Sequence, residues 1–326
     1  MLRELNEQIV EYNFVHMFDN LKYNGDKCKM GIFNFYPNKC DEEEFLSTTV
    51  YKKTSFDNNA VKHIFETMNG LKVMVSVFAV DDQTAKTKAY QLFEFLENVC
   101  NVFPNKIPEM AQLVSSHERY FDDYIELTKD FATHGESIRC EDCGTFEHYI
   151  QGNKITKWCV ENSKYLLVTG GVPIQKTILL SANMIGAAKK MGKTAQSYLL
   201  IRSAIESLCT KTTDYKKREE VSTERISRAF WCCGINLTNC WDYDVLRKKE
   251  EYYHNIRNEI THRARPFVDE IDWNSNLTNA IDYIYYLTHH FLPFNNLETI
   301  DELIAYFDGK YQTIKRNHFD ISDETT

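Results

Sequence analysis

The sequence predicts an α+β protein built in two parts, a mixed α/β domain over residues 1–168 followed by an all-α helical bundle over residues 169–326. Three observations carry that expectation. Residues 71–78 alternate in polarity and are followed by a stretch with helical spacing; Gly170-Gly171-Val172-Pro173 punctuates the middle of the chain; beyond it the apolar residues recur only at helical intervals. A length of 326 residues suits two domains, and 43% hydrophobic residues with 12 Gly and 6 Pro exclude a low-complexity or fibrous chain.

The elements follow in order. Leu71, Val73, Val75 and Val77 alternate with Lys72, Met74, Ser76 and Phe78, the period of a strand. Asp81-Asp82 closes that run and offers an N-cap to the next element. Ala85, Ala89, Leu92, Leu96, Val99 and Phe103 then keep the spacing of an amphipathic helix that stops before Pro104. Residues 30–36, 45–51 and 165–168 are further strand candidates. Pro173 suits the first turn of a helix whose stripe is Ile174, Ile178, Ala182 and Ile185. After a break at Gly192, Tyr198, Ile201, Ile205 and Leu208 form a second stripe. A shorter helix over 226–233 follows a charged connector and ends at Gly234. Leu246, Lys249, Tyr253, Ile256 and Ile260 continue until Pro266, which forces Arg265 out of helical geometry. Leu277, Ile281, Ile284, Leu287 and Phe291 predict a last long helix ended by Pro293, with a short one over 300–307 appended. Four or five helices with short connections make a bundle.

Charge divides the chain unevenly. The formal net charge of −9 argues by itself against a polyanionic partner, yet residues 171–270 hold 17 Lys and Arg against 12 Asp and Glu. The other 226 residues hold 21 against 35, so an acidic part is joined to a basic one. No apolar run approaches the roughly 18 residues of a membrane span, and the opening MLRELNEQIVEYNF carries Glu4, Glu7 and Glu11 where an export signal is apolar. These features predict a cytoplasmic protein with no membrane partner, whose ten cysteines are reduced.

The segment richest in chemistry is Tyr252-Tyr253-His254-Asn255-Ile256-Arg257-Asn258-Glu259-Ile260-Thr261-His262-Arg263. Five residues on a helix correspond to about 500°, a net rotation of roughly 140°, so Arg257 and His262 do not stack directly. His254, Asn258 and His262 follow one another at intervals of four and share a face, where Asn258 can hold an imidazole nitrogen of His262. Arg257, Thr261 and Arg265 form a neighbouring row of phosphate-compatible groups, with Ile256 and Ile260 on the buried side. Tyr252, beside the motif, is placed to stack on a splayed base.

Arg257-Asn258-Glu259-Ile260-Thr261-His262 resembles the R-x4–6-H motif of HEPN domains, with the polar residue that commonly follows the arginine. SYLLIRSAIESL over 197–208, with Ala204, Glu206 and Leu208, and the string YYHNIRNEITHRA are similar to two helices of the Apea-like HEPN subgroup. The resemblance covers about residues 174–292. It implies a HEPN helical bundle, metal-independent endoribonuclease activity with no cofactor, and a homodimer through the bundle in which two copies of the motif face one site. Arg257 and His262 are then catalytic and Asn258 positions them; His254, Thr261, Arg263, Arg265 and Tyr252 are RNA-binding candidates. Such two-part proteins act in antiviral defence or as toxins, with the N-terminal part as sensor or restraint and control by a regulatory partner or antitoxin. The alternative is a non-catalytic HEPN module for dimerisation or RNA binding.

Two other patterns compete for attention. Cys140, Cys143, His148 and Cys159 could ligate zinc, but the ten residues between the last two make an unusual second pair, and buried or surface thiols are the default. The segment over 186–194, GAAKKMGKT, has one residue too many between its glycines for a phosphate-binding loop and lies in a helical stripe rather than after a strand.

Overall fold

Strand pairing in the N-terminal part is antiparallel throughout. The computed structural model describes residues 9–19, 28–36, 71–102, 112–113, 126–127, 154–167, 173–210, 218–235, 243–292 and 296–323. The chain divides into two compact units, residues 1–164 and 165–326. Together they are α+β in content, and among the described residues the strands lie in the first unit.

In the first unit, β1 (Val10–Asp19), β2 (Cys28–Met30), β3 (Phe33–Tyr36), β4 (Leu71–Ala79), β5 (Gln112–Leu113) and β6 (Glu126–Leu127) form one sheet. Its order is β2-β3-β4-β1-β5, with β6 also pairing β1. The alternation read over 71–78 holds from Val73 onward: Leu71, Val73, Val75 and Val77 are fully buried while Phe78 is exposed, but Lys72, expected on the polar face, is buried too. β1 went unrecognised although it alternates too, with Tyr12, Phe14, His16 and Phe18 buried and Phe14 registered opposite Val75. Across the sheet lies α1 (Asp82–Cys100), capped by Asp81, whose Oδ1 accepts from the Thr84 amide at 2.7 Å. The predicted stripe Ala85, Ala89, Leu92, Leu96 and Val99 is its buried face, and His16 meets Phe93 of this helix edge-on.

Two strand expectations change. Residues 30–36 are not one strand but a hairpin, hinged where Gly31 takes φ +61°. A Cβ there would lie 2.1 Å from both Ser163 Oγ and the Val160 carbonyl oxygen, so only glycine fits. Those two residues belong to the end of α2 (Lys154–Asn162) and the turn after it, and Ser163 Oγ accepts the Ile32 amide at 3.1 Å. Residues 163–166 form a 3₁₀ turn that tightens the end of α2, which overturns the strand expected over 165–168 as far as its residues are described. The candidate over 45–51 lies outside the described residues, as do Cys140, Cys143 and His148. Cys159, the fourth zinc candidate, is buried on α2, and burial first, then neighbouring Cys100, pushes its thiol well above the ordinary range.

The second unit is helical: α3 (Pro173–Met191), α4 (Ala195–Ser207), α5 (Arg218–Cys233), α6 (Tyr243–Arg263), α7 (Glu270–Tyr286) and α8 (Ile300–Asp323). Pro173 opens α3, and Ile174, Ile178, Ala182 and Ile185 are buried as predicted. Gly192 at φ +69° separates α3 from α4, whose N-terminus is closed by a capping box between Thr194 and Ser197. Gly234 ends α5 in the left-handed conformation, with the Ile235 amide on the Phe230 carbonyl and the Gly234 amide on that of Trp231.

Two helices exceed their sequence-based bounds. α5 starts at Arg218, inside the stretch read as a charged connector. α8 runs to Asp323, because the stripe Leu303, Ile304 and Phe307 continues to Tyr311, whose ring meets Trp231 of α5. The ion pair of Arg228 with Asp308 at 2.7 Å closes the same seam. α7 passes into a π-helical turn, Leu287–Phe291, that keeps Leu287, Thr288 and Phe291 buried. Among the described residues no helix is long and apolar enough to cross a membrane.

Candidate functional site on helix α6

Helix α6 carries every residue singled out by the motif except Arg265. Asp244 in its first turn and His262 and Arg263 in its last complement the helix dipole. Its inner face is Leu246, Glu250, Tyr253, His254 and Ile256; Ile260, expected with them, is only half-buried. The helix ends before the position that Pro266 restricts. Ala264 adopts φ 51°, the left-handed region that costs a residue with a Cβ about 1–2 kcal/mol. Arg265 then folds back over the last turns. Its amide reaches the Glu259 carbonyl at 3.3 Å, its Nη1 the Glu259 carboxylate at 2.8 Å, and its Nε the Phe267 carbonyl at 3.0 Å. Asp269 caps α7 through the Ile271 amide at 2.8 Å.

Beneath the motif, α6 is anchored by buried polar groups. Arg202 of α4 and Glu250 of α6 are both fully buried and pair at 2.9 Å, and the same Nη1 donates to Asn276 Oδ1 of α7 at 3.1 Å. Burial opposes the charge on Arg202, but Glu250 and then Tyr198 outweigh it, so the guanidinium is held more firmly protonated than usual. Tyr198 donates to the Tyr253 carbonyl at 3.1 Å, and Trp273 of α7 donates to Ser197 Oγ at 2.8 Å. Arg202 Nε and Nη2 and Glu250 Oε1 have no hydrogen-bond partner among the described residues. The anchor is therefore charge-compensated without being fully hydrogen-bonded.

Arg257 and His262 remain accessible, the first half-buried and the second exposed. Arg257 Nη1 donates to Asn258 Oδ1 at 3.0 Å, and its Nε lies 3.8 Å from Glu206 Oε1 of α4. This corrects the expected role of Asn258: its carboxamide oxygen serves the arginine rather than His262, a charged donor being the stronger partner for an amide oxygen. The His262 imidazole has no hydrogen bond or ion pair among the described residues.

The outlying candidates separate. His254, predicted on the same face as Asn258 and His262, is only 8% exposed and sits with Nδ1 4.0 Å from Glu206 Oε1, which corrects its placement as a solvent-facing RNA contact. Thr261 is exposed but its hydroxyl donates to the Arg257 carbonyl at 2.9 Å. Arg263 is exposed on the last turn. Arg265 leaves the row with Arg257 and Thr261, because the helix stops two residues before it and its guanidinium is bound to Glu259. Tyr252 is half-exposed and its hydroxyl donates to Asp272 Oδ2 at 2.8 Å; that bond, then burial, raises its pKa. Phe267 and Ile271, at 80% and 75% exposure, lie on the turn that follows the motif and at the start of α7.

Arg202 and Glu250 are residues that sequence reasoning did not single out, and Glu206 entered only through the resemblance over 197–208, with no role given to it. Their signal was available: Arg202 and Glu206 stand one turn apart on a helix whose neighbours Tyr198, Ile201 and Ile205 are core, and Glu250 falls on the stripe of Leu246 and Tyr253. A charge on an apolar stripe is either paired or titrated to neutrality. No protein-family model matches this chain, and no curated protein or solved structure matches it.

Proposed function

We propose that the helical unit is a HEPN-type endoribonuclease that cleaves RNA without a metal, acting as a homodimer through the bundle. The observation that supports this most is that α6 keeps the Arg257 guanidinium and the His262 imidazole accessible over its last two turns, one end of a helix whose middle is anchored by the buried Arg202–Glu250 pair. RNA carries its own nucleophile. Histidine is the side chain suited to proton transfer near neutrality: as base it removes the 2′-OH proton, the oxygen attacks phosphorus, and the P–O5′ bond breaks as an acid returns a proton to the 5′-oxygen. The products are a 2′,3′-cyclic phosphate and a 5′-OH. Arg257 supplies planar donors to the oxygens that gain charge at phosphorus. One chain offers one His262, so a second copy completes the base and acid pair, and the exposed Phe267 and Ile271 beside the motif are suited to an apolar contact.

In this reading the protein is a defence or toxin effector, with the acidic N-terminal unit as sensor and a regulatory partner or antitoxin as restraint. The second reading, a non-catalytic module for dimerisation or RNA binding, draws on the engagement of Arg257 by Glu206 and Asn258, which a purely structural arginine would also show. Purified protein with labelled RNA in excess EDTA separates the two. Cleavage that survives chelation and disappears in both Arg257→Ala and His262→Ala, with folding intact, supports the nuclease; RNA retention without cleavage supports the module.

A further inference from the structure

Glu206 lies on α4, outside the α6 motif, and its carboxylate has an unusual environment. Its Oε1 atom is buried and accepts no hydrogen bond among the described residues, although the side chain as a whole keeps 20% exposure. That oxygen lies 3.8 Å from Arg257 Nε and 4.0 Å from His254 Nδ1. One turn earlier on α4, Arg202 meets Glu250, which is itself one turn before His254 on α6. Two carboxylates and two guanidiniums thus alternate across the α4–α6 seam. Arg202 compensates one carboxylate, and Arg257 is the guanidinium nearest the other.

A buried carboxylate oxygen without a hydrogen bond is tolerated only beside a cation. The dependence runs both ways. A long arginine side chain at a helix surface samples many rotamers unless something holds it. Here Glu206 attracts the guanidinium at Nε while Asn258 holds Nη1 at 3.0 Å. Nη2 is left with no protein partner among the described residues.

We propose that Glu206 is the positioning residue for Arg257: from α4 it fixes the guanidinium so that the remaining Nη2 edge is presented to an RNA phosphodiester. The phosphodiester rests on the nuclease reading above; the coupling of Glu206 to Arg257 does not. Glu206 touches no substrate and acts only through the arginine.

The experiment compares wild type, Glu206→Gln, Glu206→Asp, Arg257→Ala and the Glu206→Gln/Arg257→Ala double variant. Three readouts are taken: kcat and KM for RNA cleavage, affinity for a non-cleavable 2′-O-methyl RNA, and thermal melting. Positioning predicts that Glu206→Gln lowers kcat on the order of tenfold, since small misplacement of a charge-stabilising group is costly, with KM changed less than about twofold. Glu206→Asp recovers part of the loss, and in the Arg257→Ala background, where no cleavage is left to read, Glu206→Gln leaves the affinity for the non-cleavable RNA unchanged. A Glu206→Gln protein that cleaves like wild type, that only melts earlier, or that weakens the affinity for the non-cleavable RNA in the Arg257→Ala background overturns the proposal and leaves the nuclease reading standing. If wild type binds RNA but cleaves none, the nuclease reading falls, and the same non-additivity in affinity decides for or against positioning. If it neither cleaves nor binds, both fall.

Discussion

Glu250 and His262 stand about three turns apart on one helix and live under opposite rules. Around Glu250 the side chains are fully buried, matched in charge and tied to two neighbouring helices. Around His262 the chain is exposed, leaves the helix through a left-handed alanine and keeps its imidazole unbonded among the described residues. Tyr252 and Tyr253 repeat the contrast within two residues, one half-exposed and the other 1% exposed. Under the nuclease proposal, a helix that offers groups to RNA at one end needs rigidity from the other. The middle of α6 supplies that rigidity with a buried ion pair, whose partners are strongly dependent on each other.

The contrast is most easily broken at its inner end. Glu250→Ala leaves Arg202 charged and uncompensated in the core and is expected to cost about 3–5 kcal/mol in urea unfolding. Replacing both by Met and Leu of similar volume should restore most of it, and a cost below about 1 kcal/mol for the single change would show that the pair anchors nothing.

A second consequence appears at high pH. Burial is the largest cause that pushes Tyr253 up to about 12, whereas in the unfolded chain it titrates near 10. The folded state therefore keeps a proton that the unfolded state releases, and stability is present below about pH 10 and lost as pH rises towards 12. Unfolding midpoints measured across that window should fall less steeply in Tyr253→Phe, while Tyr252→Phe should leave the slope closer to that of wild type.

At the outer end the effects are smaller. Ala264→Gly removes the left-handed penalty and is expected to raise stability by about 0.5–1 kcal/mol after the added freedom of the unfolded glycine is counted. A loss of thermal stability instead would mean that the Ala264 methyl makes a contact worth more than the strain. Arg257→Ala leaves the buried Glu206 Oε1 without its nearest guanidinium and should cost about 1–2 kcal/mol of folding stability, well below the cost of breaking the Arg202–Glu250 pair because this pair is long and partly solvated, while abolishing RNA cleavage. Substantial unfolding in that variant would move Arg257 from the exposed group to the anchor.

Much of the helical unit was legible because its signals are local. Pro173, Gly192 and Gly234 act on their own backbone, and the stripes of α3, α4 and α6 repeat within a few residues. The misjudged end of α8 has a tertiary cause: beyond Phe307 it packs on α5, through Asp308 with Arg228 and Tyr311 with Trp231, and its own segment does not contain those partners. β1 was missed because its alternation is carried by aromatic residues and a histidine instead of aliphatics, and the break at Gly31 depends on Val160 and Ser163, more than 120 residues away.

By itself the sequence determined where α3 starts and where α5 and α6 stop, which faces of α3 and α4 are apolar, and that an arginine and a histidine stand five positions apart beside Asn258, since these depend on neighbours within a turn or two. Only the tertiary structure decided that His254 turns inward, that Asn258 serves Arg257, and that Glu206 and Arg202 reach across from α4. Those outcomes depend on which helices lie side by side, and the electrostatic energy of a buried charge depends on partners that no local pattern contains.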